Sequence, residues 1–250
     1  MNAKANNIEG KAQELCERLY LAAKKSKTRR FHALYDKIYG KDFLELAWEQ
    51  VKRNKGSAGV DNESISDILL KDEETAITEI QQTLKDGNYR PRKVKRVYIP
   101  KPDGRYRPLG VPTVRDRIVQ TATKQVIEPI FEADFLDCSY GFRPNRSAHD
   151  ALEEIRRTTN AGYKTVPDAD IKGFFDNIDH DKLLEFVHQR ISDRRILKLI
   201  RKWLKCGIME SGIVKESDMG TPQGGVISPL LANIYLHEFD KFWTQQTRVK

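Results

Sequence analysis

Apolar positions recur every three to four residues over much of the chain, which is the period of one face of an α-helix. Near the N-terminus, this face is formed by Ile8, Ala12, Leu15, Leu19 and Ala23. The same period predicts helices over residues 8–23, 42–52, 72–85, 114–131, 147–158, 181–190, 193–205 and 226–242. Helices therefore account for most of the predicted elements.

Strand signals interrupt this helical pattern at three places. Residues 94–100 are β-branched and aromatic, Lys101-Pro-Asp-Gly104 has turn chemistry, and residues 105–111 return as a partner strand. This order predicts a β-hairpin. A further strand is predicted over 164–171 and a β-ribbon over 207–219. Without an internal repeat or a low-complexity linker, the pattern predicts one α+β unit with two lobes.

Basic residues are concentrated in the predicted hairpin. The 250 residues include 44 Lys and Arg against 36 Asp and Glu, which gives a formal net charge of +8. Residues 90–107 hold eight basic residues and a single acid, Asp103. Edge strands carry lysines that block aggregation, but this density favours binding to phosphate groups.

A second basic cluster follows the N-terminal helix. Two interpretations of this cluster stay open: it binds a phosphate backbone, or it is a solvated helix end. The cluster comprises Lys24, Lys25, Lys27, Arg29 and Arg30.

Cysteine usage and hydropathy exclude several classes of protein. Cys16, Cys138 and Cys206 lie far apart and show neither CxxC nor Cys/His spacing, so no disulfide framework or zinc site is predicted. A reducing compartment fits this usage, and the expected location is cytoplasmic. The first ten residues lack an apolar signal core, and no apolar run approaches the roughly 18 residues of a membrane span. No membrane association is therefore expected.

Clustered carboxylates lie at the end of the strand predicted before the sixth helix. Asp168 and Asp170 fall on the same face of this strand, because side chains alternate. Clustered carboxylate oxygens are the ligands that hard divalent cations such as Mg²⁺ require. Asp176 is expected to be a turn residue, and Asp179 or Asp181 to cap the next helix. The residues alone leave a metal role and a structural role for Asp170 equally open.

Five blocks of the sequence together resemble the group II intron reverse transcriptases. The blocks follow the order and approximate spacing of that family, and they lie at 54–61 (NKGSAGVD), 98–120 (YIPKPDGRYRPLGVPTVRDRIVQ), 139–152 (SYGFRPNRSAHDAL), 168–180 (DADIKGFFDNIDH) and 220–240 (GTPQGGVISPLLANIYLHEFD). Retron and other relatives share the palm, but the second and third blocks favour the group II lineage.

The resemblance implies an α+β right-hand polymerase fold with fingers and an incomplete palm. The implied organisation is a basic N-terminal helical extension over 1–34, fingers over 35–160 and a partial palm over 161–250. The implied activity is RNA-directed DNA polymerisation by two-metal nucleotidyl transfer with Mg²⁺. The implied partners are an RNA template or group II intron RNA, a DNA primer and a deoxynucleoside triphosphate (dNTP). The basic N-terminal helix resembles the part that anchors RNA.

The resemblance also assigns roles to individual residues. Asp170 matches the first catalytic aspartate, which together with the carbonyl of Ile171 binds the magnesium ions. Phe175 matches the aromatic residue that excludes a ribose 2′-hydroxyl by steric contact. Lys101 and Arg107 match the fingers residues that hold the incoming triphosphate.

A role is likewise implied for the Pro-Gln-Gly turn. Gln223 matches the residue beside the nucleotide sugar and the templating base pair. Gly224 and Gly225 follow it, and glycines permit close approach of the backbone.

Two features depart from the family pattern. The family carries its remaining catalytic carboxylates in a Tyr-x-Asp-Asp hairpin soon after the helix that ends near residue 241, and the 250 residues contain no such sequence. Asp170 alone would leave the ions under-coordinated, so this chain by itself is expected to be inactive or nearly so. Pro167 removes a hydrogen-bond donor from the predicted strand, which fits either a bulge or early decay.

Three hypotheses therefore stay open at the level of sequence. The first is a reverse transcriptase segment that functions only with downstream sequence. The second is a non-catalytic, maturase-like remnant that binds RNA without making DNA. The third is a truncated pseudogene product without function.

Overall fold

Helices make up most of the computed structural model, which describes residues 3–210, 213–215 and 224–247. All eight predicted helices are confirmed, and two short helices, Tyr35–Ile38 and Ile65–Lys71, are additional. The helices of the described part are α1 (Ala3–Lys25), α2 (Tyr35–Ile38), α3 (Lys41–Arg53), α4 (Ile65–Lys71), α5 (Glu73–Lys85), α6 (Val114–Glu132), α7 (Ala148–Asn160), α8 (His180–Arg190), α9 (Arg194–Leu204) and α10 (Ser228–Thr247).

Side-chain caps determine where several helices begin. Ser147 and Asp150 form a reciprocal capping box at the start of α7. Asp179 accepts hydrogen bonds from the first amides of α8, which confirms its predicted role as a cap. Asp193 caps α9 and also accepts hydrogen bonds from the backbone amides of Leu34 and Tyr35. One carboxylate thus joins α9 to α2.

The described part of the chain has one sheet with four strands, β1 (Val94–Pro100), β2 (Tyr106–Val111), β3 (Ile208–Glu210) and β4 (Ile213–Lys215), in the order β2-β1-β3-β4. Strands β1 and β2 form the predicted antiparallel hairpin. Strands β3 and β4 lie within the predicted ribbon and pair antiparallel. A short parallel pairing of β1 with β3 joins the two hairpins, and the sequence pattern did not predict it.

The strand predicted over 164–171 is wrong. These residues are exposed and pair with no strand in the part of the chain that the structure describes. Strand structure depends on ladder hydrogen bonds with a neighbour, and Pro167 removes one donor from this segment. An apolar and β-branched pattern therefore does not produce a strand here.

Helix α6 forms the centre of the hydrophobic core. Its buried residues lie all around the helix, and α1, α3 and α10 pack against it. Helices α8 and α9 extend the same core, with Leu183, Val187, Ile196 and Ile200 fully buried. Among the described helices, none combines the length and apolar character of a membrane span.

Candidate nucleotide and metal site

The β1-β2 hairpin presents the two cations predicted to hold a triphosphate. The backbone amide of Lys101 donates to the carbonyl of Arg105 (2.7 Å), which closes the turn. Asp103 pairs with the Arg105 guanidinium at 2.7 Å. Arg107 lies opposite Ile99 in the ladder and is exposed. Lys101 and Arg107 make no ion pair with any described residue, so their charges are available to an anion.

The base of the hairpin is fastened by one buried carboxylate, Asp116, which is 3% exposed. It accepts hydrogen bonds from the Tyr89 hydroxyl (2.5 Å), the Arg92 amide (3.1 Å) and the Thr113 hydroxyl (2.7 Å). The Trp203 indole donates to the same Tyr89 hydroxyl at 3.1 Å. Segments before β1 and after β2 are thereby tied together and to α9.

Burial dominates the electrostatics of this cluster. It raises the pKa of the Asp116 carboxyl, although the donors around it oppose the shift. It also raises the pKa of Tyr89 well above its usual value, and the nearby Asp116 charge adds to this shift. Sequence reasoning missed Asp116; the Thr113-x-x-Asp spacing of a helix cap was the available signal.

The candidate metal ligands lie on the unpaired segment. Asp168, Asp170 and Ile171 are exposed, and Asp170 makes no ion pair with a described residue. Carboxylate and carbonyl oxygens are the donors that hard divalent cations take, so the residues fit a metal in kind. In number they fall short, because no group of three or more His, Cys, Asp or Glu that could hold a metal ion occurs among the described residues.

Phe175 belongs to a 3₁₀ turn, Phe174–Asp176, that follows the candidate metal ligands. Gly173 enters this turn with a left-handed φ of 61°, a conformation that glycine adopts without steric cost. The Phe174 ring packs edge-on against Phe175 at 5.5 Å and against Tyr235 of α10 at 6.2 Å. Aromatic packing thus holds the turn, and with it the half-buried Phe175 ring, against α10.

Gln223 lies outside the described residues, but the glycine that follows it is described. Gly224 has a φ of 110°, and a Cβ atom added there would collide with the Gly110 carbonyl oxygen and lie 3.0 Å from Leu109 Cδ1. Gly224 therefore packs directly against β2. This contact places Gly224 beside β2, towards the end of the hairpin away from its Lys101–Arg105 turn.

We predict that Gly224→Ala destabilises the protein by about 1–3 kcal/mol more than Gly162→Ala does, as measured by urea denaturation. Both glycines have positive φ, but an added Cβ at Gly162 meets nothing within 4 Å. The difference between the two variants therefore isolates the contact with β2. Equal losses of stability would contradict a close approach of the turn to the hairpin.

The basic cluster at the C-terminal end of α1 and just after it contains two kinds of side chain. Lys27 donates to the carbonyl of Ala133 (2.7 Å) and pairs with Asp134 (3.1 Å), so it is engaged within the fold. Arg29 lies over the Phe31 ring at 5.2 Å. The remaining cations are exposed and make no ion pair with described residues; they are Lys24, Lys25 and Arg30.

The sequence also matches a known protein family. A family model described as "Reverse transcriptase (RNA-dependent DNA polymerase)" matches residues 99–250. The chain belongs to the reverse transcriptase family. Enzymes of this kind act on nucleic acid and use divalent metal ions for nucleotidyl transfer.

Similar proteins place the chain near the intron-encoded members of this family, as the sequence blocks predicted. It is 43% identical over 218 residues to the group II intron-encoded protein LtrA of Lactococcus lactis subsp. cremoris, covering 86% of this chain and 36% of LtrA. It is 35% identical over 183 residues to nuclear intron maturase 1, mitochondrial, of Arabidopsis thaliana, covering 52% of this chain and 26% of the maturase. The chain thus spans about a third of LtrA.

A solved structure shares the fold. A chain of the structure titled "Partial Cas6-RT-Cas1--Cas2 complex" superposes with a TM-score of 0.56 and 25% sequence identity, covering 83% of this chain and 34% of that chain. The α+β fold expected for reverse transcriptase fingers and palm is confirmed.

Proposed function

We propose that this chain forms the fingers and part of the palm of a group II intron-encoded RNA-directed DNA polymerase. The packing of Gly224 against β2 carries the proposal, because it joins the residue that follows Gln223 to the basic hairpin within a member of the reverse transcriptase family. The proposed divisions are the N-terminal extension over 1–34, fingers over 35–160 and partial palm over 161–250.

The hairpin supplies the binding energy for the nucleotide. Lys101 and Arg107 bind the triphosphate of the incoming dNTP, since they flank the turn and make no ion pair with an acid in the described part of the chain. Arg107 offers bidentate hydrogen bonds to phosphate oxygens, and Lys101 offers a point charge. Phe175 limits the space beside the sugar, and Gln223 contacts the sugar side of the base pair.

Asp170 and the carbonyl of Ile171 would hold Mg²⁺. A bound ion would neutralise charge at the phosphates and would favour deprotonation of the primer 3′-hydroxyl. The carboxylates of a Tyr-x-Asp-Asp block complete such a site, and the 250 residues contain none. A polypeptide of these residues alone is therefore expected to be inactive or nearly so as a polymerase.

The proposed partners are an RNA template or group II intron RNA, a DNA primer and a dNTP. The exposed cations at the end of α1 and just after it, Lys24, Lys25 and Arg30, bind RNA phosphates, whereas Lys27 and Arg29 position the segment that follows α1. A cytoplasmic location is part of the proposal, because the three cysteines are free.

The test uses a chimera in which this chain replaces the matching region of LtrA and is followed by the remainder of LtrA. In this chimera, Lys101→Ala or Arg107→Ala is expected to raise the KM for dNTP by about tenfold or more, because each removes a charge-assisted contact to phosphate. Steady-state primer extension on an RNA template measures the KM.

Arg105→Ala is the matched control. Arg105 lies in the same turn, but Asp103 already binds its guanidinium through two hydrogen bonds. We expect its KM to stay near that of the unsubstituted chimera. An Arg105→Ala effect as large as that of Arg107→Ala would show that general hairpin charge, and not these two residues, binds the nucleotide.

A further inference from the structure

Helix α9 separates its apolar and charged residues completely. One face is buried against the core and consists of Ile196, Leu199, Ile200, Trp203 and Leu204. The remaining surface, together with the residue that ends the helix, carries basic side chains and no acid across residues 194–205. This basic stripe comprises Arg194, Arg195, Lys198, Arg201, Lys202 and Lys205.

Nearby acids neutralise only part of the stripe. Arg201 pairs with Asp181 at 2.9 Å, and Arg195 pairs with Asp193 at 3.4 Å. Three members, Arg194, Lys198 and Lys205, are exposed and make no ion pair with a described residue.

The remaining member of the stripe, Lys202, lies close to a cation outside α9. The Lys202 ammonium donates to the carbonyl of Tyr89 at 2.6 Å. Burial lowers the pKa of Lys202, and the nearby positive charges of Arg90 and Lys198 lower it further. The positive potential of α9 therefore continues to Arg90, in the segment that precedes the hairpin.

This arrangement works against the stability of α9. Like charges four residues apart repel on a helix, as Arg194 with Lys198 and Lys198 with Lys202 do. Arg194 and Arg195 also lie in the first turn, where the helix macrodipole disfavours cations. Solvated faces that serve solubility alone usually mix both signs of charge. A stripe of one sign is better explained by a polyanionic partner.

We propose that the α9 stripe is a binding surface for the phosphate backbone of RNA. The stripe runs about 16 Å along the helix, long enough to meet several consecutive phosphates. Helix α9 contributes no exposed large apolar side chain. It therefore lacks the anchor that insertion into a membrane surface or a protein interface uses. The choice of RNA as the polyanion rests on the proposed function.

The test compares two triple variants that remove the same charge from the 250-residue chain. Arg194→Gln/Lys198→Gln/Lys205→Gln removes the unpaired cations of the stripe. Lys71→Gln/Arg156→Gln/Arg157→Gln is the control and removes cations that pair with Glu63 or Glu153. Fluorescence anisotropy measures the affinity for a labelled RNA duplex, and for a DNA duplex of the same sequence, across a range of KCl concentrations.

The stripe variant is expected to bind the RNA duplex at least about tenfold more weakly than the control variant. Its slope of log affinity against log salt should fall in magnitude by about two to three, because three phosphate contacts are lost. Its thermal midpoint should stay the same or rise, since repulsion within α9 is relieved.

A single variant, Lys198→Glu, separates binding from folding. A glutamate at this position has Arg194 and Lys202 four residues to either side, so the helix gains two favourable pairs. We expect a higher thermal midpoint together with weaker RNA binding. A purely structural role for the stripe would not produce this opposite pair of changes.

Other results would overturn the proposal. These are equal weakening in both triple variants, RNA binding by Lys198→Glu that matches the unsubstituted chain, and tighter binding of the DNA duplex than of the RNA duplex. If the stripe proposal is wrong but the proposed function is right, the chimera still extends primers on an RNA template. If the unsubstituted chain binds neither duplex, both the stripe and the RNA partner of the proposed function are wrong.

Discussion

Replacing Asp170 with alanine is expected to slow nucleotide incorporation by the chimera about a thousand-fold or more. Loss of a metal-binding carboxylate removes several kcal/mol of stabilisation from the transition state, and each 1.36 kcal/mol is worth about a factor of ten in rate. Asp170 is exposed and makes no ion pair within the described part of the chain, so its loss should leave folding unchanged. Single-turnover incorporation of one dNTP on an RNA template measures the rate.

Asp176→Ala is the matched control for this prediction. Asp176 is an exposed carboxylate of the following 3₁₀ turn, and its backbone amide, not its side chain, bonds to Gly173. Its removal changes the net charge equally and should alter the rate by less than about tenfold. Comparable losses in the two variants, or a lower thermal midpoint for Asp170→Ala, would argue against a metal role for Asp170.

The largest loss of stability is expected from Arg190→Met. The Arg190 guanidinium is buried, pairs with Asp134 at 3.1 Å and donates to the carbonyls of Ala23 and Ser26 at 3.0 and 3.1 Å. It also donates to the carbonyl of Lys27. One side chain therefore caps the C-terminal end of α1 and fixes it to α8 and to the segment after α6.

Removing this guanidinium leaves buried acceptors without a donor, because methionine fills similar volume but forms no such hydrogen bonds. Breaking one partner of a buried ion pair costs about 3–5 kcal/mol, and we expect a loss of stability of this size in urea denaturation. Arg156→Met, which removes an exposed pair with Glu153, should cost less than about 1 kcal/mol. A similar, small loss in both variants would contradict the proposed role of Arg190.

The helices could be predicted from the sequence because their apolar faces repeat with a helical period. The β1-β2 hairpin could also be predicted, since its turn chemistry lies between two β-branched runs. Helices α2 and α4 were missed because four or seven residues are too few to show a period. Residues 164–171 were predicted wrongly because composition cannot supply a partner strand.

Most residues of the candidate site were assigned from the resemblance to a protein family and not from a local sequence pattern. The sequence blocks identified the family, which the family match confirms. Gly224 packs on β2, and Asp116 accepts a hydrogen bond from the Tyr89 hydroxyl. Both contacts join residues that are far apart in the sequence, so no local sequence pattern could predict these contacts. The structural role of Arg190 was not predicted for the same reason, because its partners lie in and just after α1 and after α6. The basic residues of α9 are visible in the sequence but were not predicted to form a binding surface.

Primer extension by the unsubstituted chimera, on an RNA template with a DNA primer and Mg²⁺, tests the central claim most directly. We predict DNA product from the chimera and none from the 250-residue chain under the same conditions. A chimera that folds and binds RNA but makes no DNA would contradict a polymerase role for these fingers and palm. Product from the 250-residue chain alone would contradict the need for a second carboxylate block.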